Sequence, residues 1–216
     1  MTPNPEMLVK AHRDPYFRGV LGKTSLNVPD GIGLLWAAKF LGQRLPARVT
    51  GVDLMTRICG LASVGSVFFL GAAPGVAERT ATALKARFPA LQIAGTYAGT
   101  PSLAEEGQII DRINASGARV LFVAFGSPVQ DLWIDWVLQR LTTVRVAMGV
   151  GGAFDFLAGV QVRAPEWMRR SGFEWLWRLT KEPRRFKRIW RAVIVFPWFV
   201  LMARLSGRRQ DVASQM

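Results

Sequence analysis

The strongest constraint on this chain is a series of short, uninterrupted apolar runs at 66–70, 91–94, 120–125 and 144–150, separated by stretches long enough for helices. A half-exposed strand alternates apolar with polar residues. A strand that is apolar throughout must be covered on both faces, which is the situation of a parallel sheet flanked by helices. The intervening segments predict helices over 6–13, 32–41, 52–63, 76–87, 103–116 and 128–141. Their alternation with the strands predicts an α/β class: a Rossmann-like, doubly wound, mainly parallel sheet. Ser127-Pro128-Val129-Gln130 and Ser102-Leu103-Ala104-Glu105 have the spacing of capping boxes and mark two helix starts.

After residue 162 the pattern changes. Residues 163–216 hold thirteen Lys/Arg against four acids, and five of the eight tryptophans: Trp167, Trp175, Trp177, Trp190 and Trp198. Short amphipathic helices are expected over 165–170, 174–180 and 183–204. The expected division is therefore a core over 1–162 and a basic, Trp-rich helical appendage over 163–216 whose composition suits a membrane surface. The longest apolar run, 192–203, is twelve residues with Pro197 inside. A bilayer crossing takes roughly 20, so this run is expected to lie in an interface and not to span. No basic region followed by an apolar core opens the chain, so no signal peptide is expected. Cys59 and His12 are each the only residue of their type. That excludes an intramolecular disulfide, a cysteine-based zinc cluster and a multi-histidine site, and both residues read as structural.

Ligands of an open parallel sheet collect beyond the carboxyl ends of its strands. Those ends carry Gly71-Ala72-Ala73-Pro74-Gly75, Gly126-Ser127-Pro128 and Gly149-Val150-Gly151-Gly152, and three such loops on one rim imply a nucleotide-sized cleft. The dinucleotide fingerprint is missing, because Phe154 stands where a third glycine belongs and Ala94-Gly95-Thr96 lacks the acid that holds a ribose. An NAD-type oxidoreductase is disfavoured, and no cofactor is expected. The chain also has no G-x-x-x-x-G-K-[ST] and no D-x-D, so no metal ligands are assigned. Charge on a departing diphosphate would fall to arginines and helix N-termini. With a net charge of +13 the chain also suits a nucleic-acid-binding protein, since arginine and tryptophan serve phosphates and bases alike. The apolar run at 192–203 suits lipid and has no use on RNA, so that reading is disfavoured too.

Several motifs, in order along nearly the whole chain, resemble the WecG/TagA/CpsF glycosyltransferases. They are Thr2-Pro3-Asn4-Pro5-Glu6, Leu26-Asn27-Val28-Pro29-Asp30-Gly31, Leu45-Pro46-x-Arg48-Val49-Thr50-Gly51-x-Asp53, Leu70-Gly71-Ala72-Ala73, Gly126-x-Pro128-x-Gln130-Asp131-x-Trp133, the run from Gly149 to Asp155, Arg163-Ala164-Pro165, and Gly172-x-Glu174-Trp175-x-x-Arg178-Leu179-x-x-Glu182-Pro183-x-Arg185. The resemblance implies a bacterial, metal-independent, inverting enzyme. It would move an N-acetylhexosamine-type sugar, of the N-acetylmannosamine kind, from a UDP donor to N-acetylglucosamine on a polyprenyl diphosphate, at the inner face of the cytoplasmic membrane. It implies Asp30 as the catalytic base, with Thr2 and Asn4 in the same pocket and Arg48 and Gln130 as substrate contacts. Asp155 and the glycines Gly149, Gly151 and Gly152 fall on the nucleotide side, and Arg178, Arg185 and Arg188 on the diphosphates. Relatives carry a strand and a helix ahead of the Thr2–Asn4 motif, so an uncovered edge strand and a fraying start are expected here. Pathway, exact donor sugar and oligomeric state, homo-oligomer included, stay open.

Elementary chemistry agrees with one carboxylate. Inversion needs a single in-line attack, hence one base for the acceptor hydroxyl and cations for the leaving group. Each residue also has a plainer reading. Asp30 and Asn4 directly precede helical runs and would serve as N-caps, Gln130 would close its capping box, and Asp155 would cap a short helix. Arg48 would otherwise be a solvated surface arginine. Some tail tryptophans would be core packing.

Overall fold

The computed structural model describes residues 1–61 and 63–213, so the last three residues of the appendage expected over 163–216 lie outside the described residues. The chain divides into two compact units. One is Met1–Thr2 with Thr50–Arg163; the other is Pro3–Val49 with everything from Ala164 on. Residues 3–49 thus share a unit with the basic segment that follows Arg163. A composition shift marks where charge changes, whereas a unit is defined by which helices share a core.

The chain opens with α1 (Pro5–Arg13), α2 (Pro15–Lys23) and α3 (Ile32–Phe40), all in the second unit. Asn4 caps α1, its Oδ1 accepting from Met7 N at 3.0 Å, and Asp14 caps α2 by accepting from Phe17 N at 3.1 Å. Helix α2 was not anticipated, because Gly19 and Gly22 weaken its helical pattern; Asp14-Pro15 was the available signal.

The first unit follows: α4 (Gly51–Cys59), β1 (Ser66–Gly71), α5 (Val76–Arg87), β2 (Gln92–Tyr97), α6 (Leu103–Ala115), β3 (Val120–Ala124), α7 (Val129–Val137), β4 (Val146–Gly149) and α8 (Ala153–Leu157). All pairings are parallel, in the order β2-β1-β3-β4. The strands alternate their burial between two cores. Val67, Phe69, Val120 and Phe122 meet α4, α5 and α8, while Phe68, Leu70, Leu121 and Val123 meet α6 and α7. That is the two-sided cover the continuous apolar runs demanded. At the edges the demand relaxes, and β2 and the start of β4 are only partly buried. The thiol of Cys59 is sealed in the first core, and burial pushes its pKa up to about 12. It is therefore an inert packing group.

The second unit resumes with α9 (Glu166–Ser171), α10 (Glu174–Lys181), α11 (Phe186–Trp190) and α12 (Phe196–Ala213). A five-residue π-helical stretch, Arg191–Val195, joins α11 to α12. Pro197 has no N–H to offer Val193 and its ring crowds that carbonyl, so the ladder steps to i→i+5, as in the bond from Phe196 N to Arg191 O. Val9 of α1, Leu34 of α3 and Phe196 of α12 form the core of this unit. His12 stacks on Phe199 at 4.4 Å, and Arg188 donates from Nε to both oxygens of Glu6 at 2.8 and 3.0 Å. None of the five tail tryptophans is fully buried, and Trp167, Trp190 and Trp198 are exposed.

The apolar run at 192–203 sits within a longer helix. Pro183–Ser206 is one 24-residue helical run, almost unburied, and by length and composition it is long and apolar enough to cross a membrane. The expectation that it is too short rested on an uninterrupted apolar count. A helix extends through Arg191 and Arg204, and 24 residues reach about 36 Å.

Candidate active site

In the first unit, β1 and β3 are neighbours from which the chain departs in opposite directions, toward β2 and toward β4. This is the switch point at which open α/β sheets bind ligands. The three glycine loops lie along one rim, as the strand order requires.

Gln130 joins two of these loops. Its Oε1 accepts from Gly126 N at 3.1 Å and from Gly151 N at 2.9 Å. The capping box at Ser127 does not form: Pro128 is the N-cap position of α7, without a side-chain bond. The second box fails in the same way. Ser102 makes no cap bond, and Glu105 instead receives the N–H and hydroxyl of Thr100. Sequence spacing identifies residues able to cap but not which N–H is left needing an acceptor. The Gly151 N–H is thus engaged by Gln130, and Val150 N donates to Val123 O. Gly149 has its own constraint, because a Cβ there would lie 2.6 Å from both Asp131 Oδ1 and Gln130 Nε2. Gly152 is the N-cap position of α8, and Asp155 lies in its first turn without making the cap bond. Thr2 sets its Oγ1 against Gly51.

Asp131, in sequence one letter of the Gly126–Trp133 motif, has an unusual setting in the structure. It is buried at the start of α7 against Gly149, and its Oδ2 finds no hydrogen-bond partner. Desolvation pushes its pKa up to about 6, against smaller opposing effects of Ser127, the Met1 amine and Gln130. A carboxyl with a raised native pKa binds its proton more readily when folded. The sign is therefore that stability rises as pH falls from about 6 toward 4, and the charged form carries a penalty of at most about 3 kcal/mol above that window. Asp131→Asn is expected to raise the melting temperature at pH 7.5 by about 5 °C and to flatten the pH 4–6 slope in a thermal denaturation series. A lower melting temperature at pH 7.5 would show that the charged form is the one the fold requires.

In the second unit the segment bearing Asp30 is held on both sides. Asp30 N donates to Pro3 O at 2.7 Å, and Val49 N to Pro29 O at 3.0 Å. Gly31, at φ +122°, is the N-cap position of α3, and a Cβ on it would meet Pro5 Cδ at 3.1 Å. Asp30 therefore does not cap α3, and the plainer role expected for it is not taken. Instead Asp30 Oδ1 lies 3.8 Å from Arg48 Nε, a nitrogen that is sealed from solvent and has no hydrogen bond.

Arg48 is no solvated arginine. Its Nη1 donates to Arg169 O at 2.8 Å and its Nη2 to Glu174 Oε2 at 2.6 Å, while Arg178 Nη2 donates to Glu174 Oε1 at 2.9 Å. Asp30, Arg48, Glu174 and Arg178 thus form a row of alternating charge. Burial alone would push the Glu174 carboxyl up, but Arg178 and Arg48 together outweigh it and hold the pKa below the ordinary value. Glu174 was visible only as one letter of a motif. The structure makes it the brace for both arginines. Arg185 pairs with Glu182, and Arg188 with Glu6. The arginines expected at diphosphates therefore each have a carboxylate partner, and Asn4 caps α1. Among the described residues, no group of three or more His, Cys, Asp or Glu is placed to hold a metal ion.

The first unit is a switch-point α/β sheet with pinned glycine loops, and the second sets a carboxylate on a fixed turn among arginines. Each is a feature that suits a group-transfer enzyme. Residues 1–210 match the glycosyl transferase WecG/TagA/CpsF family. Similar curated proteins are N-acetylglucosaminyldiphosphoundecaprenol N-acetyl-beta-D-mannosaminyltransferases. The one from Bacillus spizizenii is 35% identical over 93% of this chain and 76% of its own length. That of Bacillus subtilis is 31% identical over 87% and 73%, and that of Staphylococcus aureus is 31% identical over 94% and 80%. The chain belongs to the WecG/TagA/CpsF family and is a glycosyltransferase.

Proposed function

We propose that this enzyme transfers an N-acetylmannosamine-type sugar from a UDP donor to N-acetylglucosamine on a polyprenyl diphosphate, with inversion and without a metal. Asp30 takes the proton of the acceptor hydroxyl as its oxygen attacks the anomeric carbon. The bond from that carbon to the diphosphate breaks, and UDP leaves with the electron pair. The observation that carries this is the Asp30 turn, fixed by Pro3, Val49 and Gly31, with Arg48 Nε 3.8 Å away. Preorganisation of this kind places a base without further ordering cost. The names of the relatives support the sugar and the carrier.

Thr2, Asn4, Arg48 and Gln130 contact substrate, and Gly149, Gly151, Gly152 and Asp155 serve the nucleotide. Arg178, Arg185 and Arg188 exchange their carboxylate partners for diphosphate oxygens when substrate arrives. The Pro183–Ser206 helix holds the enzyme at the inner face of the cytoplasmic membrane. Its arginines and exposed Trp190 and Trp198 favour the interface.

The test is a panel of UDP-sugars with a polyprenyl-diphosphate N-acetylglucosamine analogue, with and without EDTA. Release of UDP and a β-linked disaccharide from a UDP-N-acetylmannosamine donor, unchanged by EDTA, is the expected outcome. No turnover with any UDP-sugar, together with tight single-stranded RNA binding, would overturn it.

A further inference from the structure

A second basic and apolar surface lies far from the tail in sequence. On α3, Leu34 faces the core with Val9 and Phe196, whereas Trp36 is 66% and Phe40 44% exposed. Two positions along a helix turn a side chain to roughly the opposite face, and four positions return it, so Trp36 and Phe40 form one outward stripe with Lys39. Leu41 and Leu45 continue the exposed apolar surface into the following loop, where Arg44 is also exposed. No acid occurs between Asp30 and Asp53, while Lys39, Arg44 and Arg48 do.

We propose that α3 and its loop, residues 36–45, are a lipid-contact element that seats on an anionic membrane surface and presents the lipid-linked acceptor to Asp30. The inference rests on the proposed acceptor class. Charge complementarity selects the occupant: an all-basic patch fits anionic headgroups, and a second copy of itself would set like charges together. Tryptophan and lysine flanking aliphatic side chains is the composition of the bilayer interface. The patch also continues into the apolar C-terminal helix, because the Arg204 guanidinium lies over the Phe40 ring at 4.4 Å and α12 exposes Trp198, Leu201 and Leu205. The same loop ends three residues before Arg48, which faces Asp30. The lipid-contact loop and the residue facing Asp30 are therefore neighbours on one segment of chain.

The experiment compares the full chain with a Trp36→Gln, Phe40→Gln, Leu41→Gln variant. Vesicle partition is measured on phosphatidylcholine with and without phosphatidylglycerol. Transfer is measured to a polyprenyl-linked acceptor in those vesicles and to a short-chain, water-soluble acceptor. The side chains are exposed, so equal melting temperatures verify folding. Expected is at least about tenfold weaker partition to the anionic vesicles, relieved binding of both proteins at high salt, a raised KM for the vesicle acceptor, and unchanged turnover of the soluble one. Unchanged partition would overturn the proposal. So would a shift from dimer to monomer with partition unaffected, which would assign the patch to a second copy. If the unaltered enzyme transfers to neither acceptor, the proposed reaction fails while the partition result still decides the lipid contact.

Discussion

Asp30→Asn is expected, on the mechanism proposed above, to lower glycosyl transfer by on the order of 10³-fold while leaving binding of the proposed UDP donor close to its original strength. The amide keeps the shape of the side chain, and the hydrogen bond from Asp30 N to Pro3 O belongs to the backbone, so the turn survives. What is lost is an oxygen that can accept a proton. The loss should therefore fall on kcat and leave the donor affinity measured by calorimetry in place. Turnover within a few-fold of the original enzyme would remove Asp30 from the chemistry and leave it as a partner for Arg48.

Glu174→Ala is the second large effect, and it acts on stability first. The carboxylate is buried and bonded to Arg48 at 2.6 Å and Arg178 at 2.9 Å. Removing it leaves two guanidinium groups facing each other, with Arg48 largely enclosed. The expected cost is about 3 kcal/mol, chiefly through Arg48, because the more exposed Arg178 is screened by water. The pH dependence has the opposite sign to that of Asp131. A carboxyl with a lowered native pKa contributes stability that is fully present above its ordinary pKa of about 4.3 and is lost as pH falls through the lowered value. Calorimetric melting between pH 3 and 7 should show the original protein losing stability at the acid end. Glu174→Gln should lack that component. A Glu174→Ala protein as stable as the original would mean that Arg48 is positioned by Arg169 O alone.

The two capping boxes show where sequence legibility ended. Both Ser-x-x-Gln/Glu spacings sit at helix starts, as read, yet Gln130 and Glu105 turn to N–H groups of Gly126, Gly151 and Thr100. A local pattern specifies what a side chain can accept, and the surrounding fold decides which donor is left without a partner. The same limit applied to Asp30. Its place before α3 reads as a cap, but Gly31 occupies that position and the carboxylate faces Arg48. Asn4, by contrast, does cap α1, because its partner Met7 N is three residues away and needs no tertiary contact.

The sequence by itself determined the α/β class, the strand positions, the glycine loops at the strand ends and the basic, aromatic character of the C-terminal segment. These follow from local periodicity and composition, which the chain carries wherever it folds. Only the tertiary structure decided that residues 3–49 join that segment, that Glu174 braces an arginine 126 positions away, and that Arg188 reaches Glu6 across 182. It also decided that Asp131 loses its water. Such pairings depend on which surfaces are packed together and which charges are thereby desolvated, and no spacing along the chain encodes either.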